Sequence, residues 1–185
     1  MLVQSGYSVD NLPAIVSVEQ ARKIISTNAS DEQLQAGIDA ASAVIRNYCG
    51  WHVSPNLECT YECESDGFPE LQLPATFVTA VHSVTVNGEP IDFEWKPSGR
   101  IRRTDKNMFS DGWGSVVVKY SAGIEPEQIA QPVAKLAAAA CSAPAGIRSE
   151  SIGQASVTYS TTSLEEAFSD NMRAVLNAYR VNARP

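Results

Sequence analysis

The sequence predicts an α+β fold: a helical hairpin and an alanine-rich central helix packed with a small antiparallel β-sheet, followed by a carboxy-terminal helix. Three observations predict it. Apolar residues recur at the helical period through Ser30–Trp51, the pattern switches to strict alternation from Leu57, and it returns to the helical period from Pro132. The 185-residue chain is 44% hydrophobic and 19% charged. That is the composition of a globular chain near the upper end of one domain, able to bury roughly 70% of its unfolded surface.

The helical segments carry their own punctuation. Leu34, Ile38, Ala41, Ile45 and Tyr48 form one apolar stripe, Ser30 with Gln33 reads as a capping box, Asp31 and Glu32 favour the positive helix end, and Gly50 suits a left-handed close. Ser17 with Gln20 repeats the capping box for a short helix to Ile25, with Val18, Ala21, Ile24 and Ile25 on one side. The short STNAS connection favours an antiparallel hairpin over Ser17–Cys49. Residues 1–16 read as an arm on the surface or on a neighbour, 17–160 as the main domain, and 161–185 as a carboxy-terminal helix and tail.

From Leu57, Cys59, Tyr61 and Cys63 alternate with Glu58, Thr60, Glu62 and Glu64, a half-buried strand with an acidic outer face. Leu71–Leu73 is a short extended piece. Val81–Val86 is followed by Asn87-Gly88, which supplies the positive φ angles of a tight turn, and Ile91–Trp95 is expected to pair back. With Arg100–Arg103 and the β-rich Ser115–Tyr120, five short strands make one sheet. Pro132 suits the first residue of a helix to Ala143, and Ala134 and Ala137–Ala140 let the helix from Ser30 approach closely. Val157 and Tyr159 mark an extended segment. Leu164–Arg180 presents Leu164, Phe168, Met172, Val175, Leu176 and Tyr179 on one helical face.

Fourteen basic against twenty-one acidic residues leave a net charge of −7, which argues against a dedicated duplex-DNA binder. No run approaches the ~20 apolar residues of a membrane span, and no amino-terminal signal pattern is present, so a cytoplasmic origin is expected. Four cysteines fit a reducing compartment and read as reduced thiols. Cys49, His52, Cys59 and Cys63 place four soft ligands within fifteen residues. On a strand, however, Cys59 and Cys63 lie ~13 Å apart, too far to share a zinc ion or a disulfide. His52 and His82 are the two histidines, neither in a catalytic motif, and there is no GxSxG, phosphate loop or GxGxxG. No catalytic residue, metal or cofactor is expected. Arg100, Arg102, Arg103 and Lys106, with Phe109 and Trp113 nearby, read as a protein-contact loop rather than a nucleic-acid patch.

The order SVEQARKII, SDEQLQAGIDAASAVIRNYCGW, LQLPATFVTAVHSVTVNG, WGSVVVKYSAG and IRSESIGQASVTYS, over about Val16–Ser160, resembles the phage head-tail connector (adaptor) family. The telling pieces are Leu73-Pro74 leading into Val81, Val84 and Val86; Trp113, Val118, Tyr120 and Gly123; and Ser149–Gly153 before Val157 and Tyr159. The resemblance implies a structural virion protein and not an enzyme. It implies a ring, commonly of twelve copies, between the portal protein and a tail-side stopper or tail terminator. The ring would surround the DNA exit channel in the virion neck, be assembled in the host cytoplasm, and let DNA pass without specific binding. Beside it, Arg100, Arg102, Arg103, Phe109 and Trp113, and on the last helix Phe168, Met172, Arg173, Leu176, Tyr179 and Arg180, are expected to contact portal, tail or neighbour. Glu58, Glu62 and Glu64 are expected to face the channel, where negative walls repel phosphates. A nucleic-acid-binding packaging factor, motivated by Arg100–Lys106, and a small metal-dependent enzyme, motivated by Cys49, His52, Cys59 and Cys63, stand as alternatives.

Overall fold

The computed structural model describes residues 7–9, 12–65, 67–109, 112–142, 150–152, 155–157 and 168–181. The chain forms two compact units. One comprises Met1–Pro13, Arg46–Gln128 and Leu176–Pro185, the other Ala14–Ile45 and Ile129–Val175.

The second unit is mainly helical. Helix α1 (Val18–Ile24) opens on the predicted capping box: Gln20 N–H donates to Ser17 Oγ and Ser17 N–H donates to Gln20 Oε1. Helix α2 (Asp31–Cys49) does the same with Ser30 and Gln33, so two amide groups at each helix start are satisfied locally. Leu34, Ile38, Ala41 and Ile45 are fully buried. Their burial is what the four-three-four spacing dictates. On the expected apolar side of α1, Ala21 is buried, Val18 and Ile25 are half-buried and Ile24 is exposed. Helix α3 (Ala130–Ser142) starts two residues before Pro132, whose missing N–H still falls in the first turn, where no intrahelical acceptor awaits it. Val133, Ala134, Leu136 and Ala137 are its buried residues toward the core.

The expected close approach of α3 to α2 is made at Gly37. A Cβ there would lie 2.8 Å from the Ala137 carbonyl oxygen and 3.0 Å from Cys141 Sγ. Gly37→Ala is therefore expected to destabilise by about 1–3 kcal/mol through overpacking. In an open helix the same change stabilises by about 1 kcal/mol, so a chemical unfolding curve reads the sign directly. Strands β9 (Glu150–Ile152) and β10 (Ala155–Val157) form an antiparallel ribbon; Tyr159 lies outside the described residues. Helix α4 (Asp170–Asn177) is shorter than the predicted Leu164–Arg180. Residues 158–167 are outside the described set, and Ser169 starts the helix by accepting Met172 N–H on its Oγ at 3.3 Å. At the far end, Tyr179 N–H to Leu176 O and Arg180 N–H to Asn177 O tighten the chain into a turn.

The first unit holds the sheets. Strand β1 (Tyr7–Ser8), β2 (Leu57–Ser65), β4 (Val78–Val86), β5 (Glu89–Pro90) and β8 (Gly112–Ala122) form an antiparallel sheet in the order β1-β2-β8-β4-β5. A second sheet, β3-β7-β6, comprises β3 (Glu70–Gln72), β6 (Phe93–Trp95) and β7 (Arg100–Arg103). This corrects the single five-stranded sheet read from the sequence. Asn87 (φ 53°) and Gly88 (φ 84°) make the predicted tight turn. The returning strand pairs with β4 through Glu89 and Pro90, and Ile91 N–H donates to Val84 O at 3.1 Å. Phe93–Trp95 pairs instead with Arg103–Ile101. Residues of the amino-terminal stretch, expected on the surface, are tied in: Tyr7 is buried against β2 in register with Tyr61, and Ile15 and Val16 are buried in the other unit.

Candidate interaction surfaces

Strand β7 sets the arginines in a row, and cross-strand register supplies their partners. Arg102 stands opposite Glu70 on β3 and Glu94 on β6. Its Nε and Nη2 donate to Glu94 Oε2 at 2.9 and 2.6 Å, while Arg100 pairs with Glu70. Arg103 grips Asp105 with two bonds of 3.0 and 2.6 Å. That carboxylate also accepts Asn107 N–H and Nδ2–H, both at 3.0 Å. The Arg103 guanidinium, then the Asn107 amide, hold the Asp105 carboxyl well below the usual carboxylate range. Each arginine of the cluster is thus neutralised within the chain, and a phosphate would have to displace a carboxylate to reach it.

Phe109 is not a surface anchor as expected: it is buried, its N–H donating to Phe68 O at 3.1 Å. Trp113 lies on β8, with its side chain outside the described residues. Glu58, Glu62 and Glu64 are exposed on the outer face of β2, as the alternation requires. His82 shares that unit's surface, its Nε2 2.8 Å from Ser121 Oγ.

Along the carboxy-terminal stretch the expected contact residues divide. Phe168 is buried, with the Arg173 guanidinium 5.7 Å from its ring centroid, and Met172 is half-buried. Leu176 is fully buried. From Leu176 onward the chain is clamped to the first unit. Asn177 Oδ1 accepts Tyr48 O–H at 2.7 Å, Tyr179 O accepts Trp51 Nε1–H at 2.6 Å, and Val181 N–H donates to Cys49 O at 3.0 Å. The Arg180 guanidinium lies 4.9 Å from the Tyr48 ring centroid and Tyr179 packs on Phe77. Sequence reading missed Trp51 as the anchor of this clamp. The available signal was that a buried indole N–H needs an acceptor. Arg173, Val175 and Arg180 remain exposed.

Of the Cys49, His52, Cys59, Cys63 set, the structure brings together His52 and Cys59, with Sγ 3.8 Å from Nδ1. Tyr7 O–H donates to the same Nδ1 and lies 3.6 Å from Cys59 Sγ, while His52 Nε2–H donates to Ala122 O at 2.8 Å. Cys49 lies instead at the clamp, 3.8 Å from Leu176 O. All four cysteines are thiols. Among the described residues no group of three or more His, Cys, Asp or Glu side chains is arranged to hold a metal ion. Burial pushes the Cys59 thiol up to about 11 and the Cys49 thiol up to about 12, so both are protonated at neutral pH. Burial likewise lowers the His52 pKa from 6.5 to about 4.

The His52 shift has a stability consequence with a definite sign. Between pH 6.5 and about 4 the unfolded chain binds a proton at His52 that the folded chain refuses. The contribution is therefore complete above pH 6.5 and is lost as pH falls toward 4, by up to about 1.4 kcal/mol per pH unit. Urea melts from pH 7 to pH 4 should show that slope in the parent. They should show a shallower one in His52→Gln, whose amide does not titrate.

No helix among the described residues is long and apolar enough to cross a membrane. No curated protein matches the sequence. Among solved structures, a chain of "Neck of empty GTA particle computed with C6 symmetry" superposes with a TM-score of 0.62 at 18% identity, covering 98% of this chain and 100% of that one. At that identity the likeness is one of fold. The sequence itself matches the family described as Head completion protein over residues 14–182. That match takes in parts of both units, with the clamp, the helices and every strand described above except β1, and the chain belongs to the head completion protein family.

Proposed function

We propose that the chain is a structural head-tail connector of a tailed phage or phage-like particle, forming a ring in the virion neck between portal and tail. The observation that carries this reading is the family match over residues 14–182, supported by the shared fold with a chain from a particle neck. That neighbouring neck was computed with C6 symmetry, which a ring of twelve contains. In this reading the partners are further copies of the chain, the portal protein and a tail-side stopper or terminator. Assembly takes place in the host cytoplasm, and DNA passes the exposed Glu58, Glu62 and Glu64 without being held. Of the residues expected to make contacts, Arg100, Arg102, Arg173 and Arg180 are exposed and carry the interface role. The ion-paired state of Arg100, Arg102 and Arg103 favours protein contact over phosphate binding.

Two measurements test the reading. Electron micrographs of particles carrying a labelled chain should show density at the neck and a symmetric ring in the isolated complex. Arg100→Glu with Arg102→Glu should reduce joined particles. If the isolated chain instead binds duplex DNA with a steep salt slope that these changes flatten, the packaging-factor reading replaces this one.

A further inference from the structure

Two loops of the first unit meet where the backbone of Phe109 donates to Phe68 O at 3.1 Å. Phe109 is buried, while Phe68, which accepts this bond, is 54% exposed and Met108, next to Phe109 in the chain, is 64% exposed. Large apolar side chains so exposed, on adjacent backbones, form a knob with no use in the subunit's own core. The segment displaying Met108 is stiff. Asp105 accepts four hydrogen bonds, two from Arg103 and two from Asn107, and holds Lys106 in the left-handed region at φ 59°. Thr104 N–H to Asp92 O and Lys106 N–H to Arg103 O fix the rest. Strain at a non-glycine residue, with a carboxylate network holding it, is the signature of a loop organised before it binds.

We propose that Phe68 and Met108 form a preorganised apolar knob that docks into a hydrophobic pocket with a carboxylate rim on a different structural protein of the particle. Charge complementarity identifies the rim. Arg103 is neutralised by Asp105, whereas the neighbouring Lys106 makes no ion pair among the described residues, leaving one cation beside the knob for a partner's carboxylate. A second copy of the chain is a poorer fit. Its other exposed large apolar residues among those described, Ile24, Phe77 and Val175, are far apart in the chain, on α1, ahead of β4 and on α4. The inference rests on the neck reading above, because it requires a neighbouring particle protein.

The test places p-benzoylphenylalanine at position 108 of the full chain in assembled particles and identifies the photoadduct by mass spectrometry. The expected result is a cross-link to a structural protein other than this chain, in a peptide bearing Asp or Glu, with a yield about fivefold lower when Lys106→Glu is added. The double variant F68S/M108S should melt as the parent does and reduce joined particles about tenfold. If the pair melts early, Met108→Ser alone gives the same readout. An adduct between two copies, an adduct with lipid, no adduct above that from a probe at exposed Lys135, or normal joining by F68S/M108S overturns the inference. A particle that lacks the chain altogether overturns the neck reading instead.

Discussion

Replacing Arg46 by methionine is expected to lower the unfolding free energy by about 3 kcal/mol. The side chain is 4% exposed and acts as a three-way backbone clamp: Nε donates to His52 O at 3.0 Å, and Nη2 to Pro13 O at 2.6 Å and Ser54 O at 2.8 Å. One guanidinium thereby ties the end of α2 to the amino-terminal stretch and to the segment entering β2. Methionine keeps the apolar stem and removes every donor, so the buried Ser54 carbonyl loses this partner at about 1–3 kcal/mol, and the part-buried bond to Pro13 O adds about 1. Arg46→Lys should recover part of the loss, since an ammonium can meet one or two carbonyls but cannot fork to three. Equilibrium urea unfolding of the three proteins orders them parent, lysine, methionine. A methionine variant within about 0.5 kcal/mol of the parent would show that the three bonds contribute nothing net.

Arg46 also shows where sequence reading stops. The helix containing it was legible to the residue at its start, since Ser30, Gln33 and the Leu34–Ile45 stripe follow local rules and the structure obeys them. Arg46 itself gave no such signal, because it satisfies backbone carbonyls, at His52, Ser54 and Pro13, and carbonyls carry no residue-type pattern. The same limit explains the sheets. The strands from Leu57 to Tyr120 followed from alternation and turn residues and β1 did not, while assigning Phe93–Trp95 to β7 rather than β4 depended on register with Arg100–Arg103. Phe109 was misjudged for a related reason. Proximity to arginines suggested an interface, but the ring is buried and its backbone N–H bonds to Phe68 O, forty-one residues earlier, a tertiary fact. Exposed Phe68 and Met108 carried no pattern at all.

Deleting Leu176–Pro185 is expected to destabilise the first unit by about 4–6 kcal/mol and to shift or abolish its cooperative melt. The deletion removes Leu176, fully buried, and the Tyr179 carbonyl that satisfies Trp51 Nε1 at 2.6 Å, and it uncovers Cys49 and Trp51. Losing a buried leucine costs about 2–5 kcal/mol, and losing the hydrogen bonds of this segment to Trp51 and Tyr48, with the indole opened to water, about 1 net each. Single changes should apportion the effect: Leu176→Ala reports the packing, and Trp51→Phe reports the hydrogen bond with little change in ring volume. This bears on the docking role expected for the carboxy-terminal helix. A helix whose last turn belongs to the subunit core cannot be detached to reach a partner, so any docking falls to its exposed residues, Arg173 and Val175, and to Arg180 beyond it. Arg173→Glu with Val175→Ser should therefore cost little more than the Arg173 contact with the Phe168 ring, about 0.5–1 kcal/mol, and reduce joining of filled heads to tails. If the truncated chain melts like the parent, the clamp contributes no stability and the whole helix is available as a docking arm. If it unfolds while the double surface variant joins normally, the helix serves the fold alone.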